Sequence, residues 1–265
     1  MAGAIAAYQE KTGTCLSYTN FSLGEKFKFK MKSKRAMLGV YSPAALISLS
    51  FIAFSLDLLS FTTMKRVLEE LGATSLASIL SCPSCSTSSP DNRSLILATA
   101  LSLHFCKRIL EVLFLEPSSG SMDASHGIAL STMYVTMVTN LLYAQMQANG
   151  LTSPKADLMW PGVLVFLVGI VGNLYHHAML ARIRRENKKD FPHGGLFEYL
   201  VCPHYVFEEL VFLGFFMIAQ TVMALVTFVS VFMYLTARTY NTKMWYTKNN
   251  AHFPPQRKLL IPKLF

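Results

Sequence analysis

Charge is what this chain has least of. Only 15% of its 265 residues are charged, 52% are hydrophobic, and the mean hydropathy is +0.37. A soluble domain carries about a quarter charged residues. The shortfall is concentrated in long uncharged runs, which excludes an ordinary soluble fold and fits a chain that crosses a bilayer several times. Cysteine is scarce too, and five in this length do not make a disulfide framework. Cys82 and Cys85 form C-x-x-C in "SCPSCSTSSPDNRS", but no βαβ pattern surrounds them. That argues against a thioredoxin-like site and leaves a lumenal disulfide or two idle thiols. The opening "MAGAIAAYQEKTGT" lacks the basic and apolar regions of a cleavable signal peptide, so the first span is expected to direct insertion. Missing as well are G-x-G-x-x-G after a strand, G-x-x-x-x-G-K-[ST], G-x-S-x-G and H-E-x-x-H. Their absence removes the usual Rossmann, P-loop, hydrolase and zinc-protease readings.

What charge there is sits in blocks. The formal net charge of +9 comes from Lys and Arg gathered at 24–35, 181–189 and 238–263, each flanking an apolar run. Nucleic-acid binding needs a basic face on a soluble module; flanks of this kind set topology and meet anionic lipid instead. No nucleic-acid partner is expected. Spans are read at 36–64, 94–115, 127–146 and 159–180, and 191–235 supplies one or two more with a break near 219–224. The segment 70–82 is short enough to be tilted or half-crossing and decides between six and seven spans. Either count puts the 81–93 loop, with its sequon Asn92-Arg93-Ser94, opposite the basic 181–190 loop. The fold class is therefore an all-α polytopic membrane bundle.

Polar residues interrupt these spans where hydrocarbon penalises them, so each needs a partner or a job. His104, Arg108 and Glu111 follow i, i+4, i+7 and share one helical face, as an ionic ladder or as part of a site. Asn173, His176, His177 and Arg184 trace a second seam, with the adjacent histidines pointing apart. His204 and Glu208 stand four apart, but two ligands do not make a metal site, and an organic ligand is expected. Two classes fit: a membrane enzyme with a phosphate-bearing cofactor, or a transporter of a charged solute. The tail "RTYNTKMWYTKNNAHFPPQRKLLIPKLF" reads as a docked lid, which favours the enzyme.

From about residue 160 onward the chain resembles the steroid 5α-reductase family. The resemblance rests on Pro192-His193-Gly194-Gly195-Leu196-Phe197-Glu198-Tyr199, Pro203-His204-Tyr205 and Glu208, then Trp245-Tyr246, Phe253-Pro254, Arg257-Lys258 and Ile261-Pro262-Lys263-Leu264-Phe265. "HFCKRILEVLF" is similar to the enoyl-CoA reductase branch and "FEYLVCPHY" to the polyprenol reductase branch. The resemblance implies an endoplasmic-reticulum membrane reductase that uses NADPH, in a pocket on the cytosolic side, on an α,β-unsaturated carbonyl lipid such as a 3-oxo-Δ4 steroid. It divides the chain into a basic segment 1–35, substrate-side helices 36–158 and an NADPH-binding part 159–265. The family pattern assigns cofactor contacts to Asn173, His177, Arg184, His204, Glu208, Arg238 and Tyr246; His177 stands where the steroid reductases have an acid. Glu209 points off the Glu208 face, toward a neighbouring helix or the pocket rim. At the substrate end, Glu70 falls at the position of the family's carbonyl-binding Glu. Phe105 replaces its Tyr, and Arg108 lies one turn further along the same helix.

Overall fold

The computed structural model describes residues 30–56, 91–115, 121–149, 151, 154–186 and 191–260. Glu70, the 70–82 segment, the Cys82/Cys85 pair and the last five residues lie outside them. Six α-helices occur among the described residues: α1 (Ser33–Ser55), α2 (Asn92–Phe114), α3 (Ala124–Ala148), α4 (Met159–Glu186), α5 (Pro203–Ala219) and α6 (Val222–Asn249). Four of them, α1, α3, α4 and α6, are long and apolar enough to cross a membrane. The other two stand among them for separate reasons. Lys107, Arg108 and Glu111 interrupt the hydrophobic run of α2, and α5 has only 17 residues. The chain is a multi-pass, all-helical membrane protein.

Local sequence explains the helix ends. Asp91 caps α2 by accepting from the Ser94 amide at 2.8 Å, which places Asn92 of the sequon in the first helical turn. Pro203 opens α5, where its missing N–H costs nothing. The break expected near 219–224 is one left-handed residue, Gln220 (φ 50°), followed by the Thr221 cap of α6. Helix α4 outruns its expected end at 180, because Ala181 and Ile183 continue the buried face while Arg184 and Arg185 suit the negative end of the helix dipole. Part of the basic 24–35 block pairs as a ribbon with the segment between the second and third helices. Lys30–Lys32 (β1) runs antiparallel to Ser121–Asp123 (β2), and the fully buried Met122 anchors it. Strands of three residues are too short to carry an alternating signal.

Packing divides into two groups. In the first, α1 packs on α2 and α3 through Val40, Ala44, Leu97, Leu101 and Leu141. In the second, α4 and α5 lie backbone to backbone. A Cβ on Gly162, Gly169 or Gly214 would come within 2.7 Å of Met217, the Val211 amide or Phe166. Small residues that admit such an approach drive helix association in lipid. Helix α6 leans across α5 and α3 and buries only Ala224, Leu235 and Thr239. Outward, Trp160, Leu164, Val168 and Val171 of α4 leave an exposed apolar face suited to lipid.

Candidate active site

The first group meets the second where α2 crosses α4 and α5, and Lys107, Arg108, Glu111, Asn173, His177 and Glu208 gather there. Arg108 is the hub. Its guanidinium donates to Glu111 Oε2 at 2.6 Å and to the Tyr41 hydroxyl of α1 at 2.8 Å, and it lies 3.1 Å from His177 Nε2 of α4. Lys107 Nζ sits 3.2 Å from the other Glu111 oxygen and donates to Asn173 Oδ1. The Asn173 amide in turn donates to the His204 carbonyl at 2.8 Å and to Glu208 Oε2 at 2.7 Å. Glu208 Oε1 stands 3.6 Å from His104 Nε2. One connected network thus ties α1, α2, α4 and α5. Such desolvated links strengthen one another in a low dielectric, provided none is left open.

Some are left open. His104 Nδ1 and His204 Nδ1 are buried with no partner among the described residues. A buried nitrogen without a partner costs free energy unless something else occupies it. The imidazoles of His177 and His204 lie 5.0 Å apart, which sets the open His204 ring beside the Arg108 end of the network, while His104 stands against Glu208.

A second array continues toward the basic end. Arg238 of α6 donates to the Tyr205 hydroxyl at 2.8 Å and to the Tyr234 hydroxyl at 3.1 Å. Tyr246 stacks on Phe253, with centroids 5.4 Å apart. The tail then folds back. Lys258 donates to the Tyr199 carbonyl and accepts from the Val201 amide, both at 2.9 Å, as a parallel bridge. Arg257, 3% exposed, lies over the Phe191 and Phe253 rings and donates to the Pro192 carbonyl at 2.6 Å. Burial lowers its affinity for a proton, with Glu198 opposing that. Gly194 and Gly195 take positive φ angles of 88° and 53° in the turn that carries this segment. The docking of the tail expected from the sequence is therefore observed, within residues 250–260.

Of the residues singled out in the sequence, the structure brings Asn173, His177, His204 and Glu208 together with Arg108. Arg238 and Tyr246 belong to the second array, and Arg184 is exposed in the last turn of α4. Phe105 is fully buried, its ring edge-on to Tyr134 at 5.5 Å. Glu70 lies outside the described residues. Sequence reasoning missed Lys107, Tyr41 and Tyr134. The i, i+4 pairing of Lys107 with Glu111 was a usable signal for the first; the two tyrosines sit in apolar runs and gave none.

Apolar helices around a buried ionic and amide network define a membrane protein with an internal polar site. The family described as 3-oxo-5-alpha-steroid 4-dehydrogenase matches residues 127–265, and the chain belongs to it, a family of oxidoreductases. The chain is 25% identical over 185 residues to the steroid 5-alpha-reductase DET2 of Gossypium hirsutum, covering 65% of this chain and 71% of that protein. It is 27% identical over 183 residues to the very-long-chain enoyl-CoA reductase of Dictyostelium discoideum, covering 62% and 55%. With 3-oxo-5-alpha-steroid 4-dehydrogenase 1 of Homo sapiens it shares 27% over 106 residues, 39% and 41% of the two chains.

Proposed function

We propose that the chain is an NADPH-dependent reductase of the C=C bond of an α,β-unsaturated carbonyl lipid, foremost a 3-oxo-Δ4 steroid. The observation that carries it is the Asn173–Glu208 pair, flanked by the unpartnered nitrogens of His104 and His204. These groups fit a nicotinamide cofactor: an amide, a carboxylate and two imidazoles offer donors and acceptors for a carboxamide and a ribose. Arg184 and Arg238 place fixed positive charge for phosphates, as a guanidinium fork suits. His177 orients Arg108 beside them, and Tyr246, stacked on Phe253, closes the array under the tail. Bound there, NADPH supplies the hydride taken up at the β-carbon of the substrate.

The substrate end rests on Glu70, Phe105 and Arg108. A carboxyl at Glu70 that keeps its proton donates to the carbonyl oxygen and polarises it. Phe105 gives the pocket an apolar wall where the steroid reductases have a hydroxyl, and Arg108 holds the wall's helix in register. That missing hydroxyl favours a second reading, reduction of a trans-2-enoyl-CoA or a polyprenal, which the similarity to an enoyl-CoA reductase also supports. A non-catalytic sterol- or isoprenoid-binding protein is the third.

We place the protein in the endoplasmic-reticulum membrane with residues 181–195 on the cytosolic side, where cysteine-accessibility labelling of that segment is expected. The deciding experiment follows NADPH consumption by membranes bearing the chain with a 3-oxo-Δ4 steroid, a trans-2-enoyl-CoA and a polyprenal. Turnover with the steroid is expected; turnover with another of the three moves the substrate, and turnover with none leaves a binding protein. In detergent, Arg184→Ala is expected to weaken NADPH far more than NADH; equal losses would remove Arg184 from the 2′-phosphate.

A further inference from the structure

Glu209 is 8% exposed, and neither of its carboxylate oxygens has a partner among the described residues. Its neighbour Glu208 is bonded to Asn173 and stands beside His104. One residue's rotation around α5 separates them, so they serve different seams. Tyr205, Glu209, Phe212 and Phe216 fall at i, i+4, i+7, i+11, one stripe of the helix. Both ends of the stripe meet α6: Tyr205 bonds Arg238, and Phe216 stacks on Phe228 with centroids 6.4 Å apart. Because α5 and α6 run antiparallel, Glu209 comes level with the α6 turn between those contacts, around Leu235.

That turn holds a second open group. The Thr236 hydroxyl is buried with no partner, whereas Thr227, Thr239, Thr242 and Thr247 of the same helix all donate to the carbonyl four residues back. The stacked rings of Phe216 and Phe228 make the same seam apolar further along. No group of three or more His, Cys, Asp or Glu that could hold a metal ion occurs among the described residues.

We propose that Glu209 and Thr236 form a hydroxyl-binding subsite in the α5–α6 seam, occupied by the alcohol group of an apolar lipid. The lipid O–H donates to the Glu209 carboxyl, and the Thr236 hydroxyl donates to the lipid oxygen. A hydrocarbon body then lies along the stacked rings. The subsite selects among lipids by a hydroxyl oxygen. It deepens the lipid-reductase reading and rests on it for the idea that the bound lipid is substrate.

The test measures equilibrium binding of two labelled probe pairs to the full chain in detergent: cholesterol with its 3-deoxy analogue, and a long isoprenoid alcohol with its hydrocarbon. The alcohol is expected to bind about tenfold tighter in at least one pair, the size of one good hydrogen bond to a carboxyl. Which pair discriminates tells sterol from isoprenoid. Glu209→Leu is expected to abolish the preference, Thr236→Val to reduce it, and Glu209→Gln, still an acceptor, to keep most of it. Without ligand, Glu209→Leu should melt higher than the parent chain, since an unpaired buried carboxylate gives way to an apolar group. Equal binding within both pairs, a preference that survives Glu209→Leu, or a lower melting point for that variant overturns the subsite. NADPH oxidation by the unsubstituted chain is followed in parallel. Its absence beside an intact alcohol preference refutes the reductase and not the subsite; the converse refutes the subsite alone.

Discussion

Helix α5 is flanked by two seams that solve membrane packing in opposite ways. Against α4 it has glycines at 162, 169 and 214 taking part, and the backbones touch. Against α6 it meets side chains instead: Tyr205 bonds the Arg238 guanidinium and Phe216 stacks on Phe228. The polar residues follow suit. On the α2 and α4 side, Glu208 is bonded on arrival, with Asn173 and His104 fixed by close-packed helices. On the α6 side, Glu209 is buried without a partner. Close packing satisfies the Glu208 carboxylate and leaves one nitrogen each of His104 and His204 open, whereas the α6 seam leaves the whole Glu209 carboxylate open.

Breaking the network at Glu208 has the largest expected effect. Glu208→Gln keeps the size and loses the charge opposite His104, and the loss of one member of a buried hydrogen-bonded pair lowers turnover on the order of a hundredfold. Expression should stay near the parent level. A variant that keeps its activity would make Glu208 a packing residue. Next comes the tight seam itself. Gly169→Ala forces a methyl into the Val211 amide, and overpacking of that kind costs about 1–3 kcal/mol, read as a lower melting temperature in detergent.

Gly39 of α1 sharpens the point, because nothing lies within 4 Å of its missing Cβ. Gly39→Ala should raise the melting temperature, by about 0.5–1 kcal/mol of restored helix preference. If both glycine variants destabilise, the seam is not what distinguishes Gly169. Smallest is the loop pair at the far end of the bundle. Asp157 has its carboxyl held below the usual 3.8, first by the Met159 amide and then by Arg93. A lowered folded value means the contribution is present above 3.8 and is lost as pH falls through the folded value. Asp157→Asn should therefore lower thermal stability slightly at neutral pH and match the parent chain once the pH has fallen below the folded value of Asp157. A loss of equal size at both ends of that range would mean the charge is not what matters.

How much of this was legible beforehand depended on the kind of signal. Long apolar runs fixed α3, α4 and the α5–α6 break to within a few residues, because hydrocarbon thickness leaves little freedom in length. The face shared by His104, Arg108 and Glu111 was legible from spacing alone. Lys107 was passed over because it lies about 100° from Arg108 on the helix, although its i, i+4 spacing to Glu111 was readable. Glu111 nevertheless reaches both, because one carboxylate has two oxygens and the i−4 and i−3 neighbours flank it. The direction of Glu209 was legible, but a partner was expected on a neighbouring helix or at the rim, and none occurs among the described residues. Spacing reports the face of one helix. It does not report how far away the next helix stands, and that distance is set by glycines and rings at other positions.

The parallel bridge between Leu200 and Lys258 has a consequence for biogenesis. Until Lys258 leaves the ribosome, the Tyr199 carbonyl and the Val201 amide have no strand partner, and the Pro192 carbonyl waits for Arg257. Helices α4 and α5 are translated first, and their glycine seam needs nothing from the tail. The bundle can therefore assemble in the bilayer while the segment above its polar end stays unlatched. A chain stopped before Arg257 would carry a packed α4–α5 pair and an unlatched 191–202 loop, a state that a protease on that side of the membrane can read as unfinished.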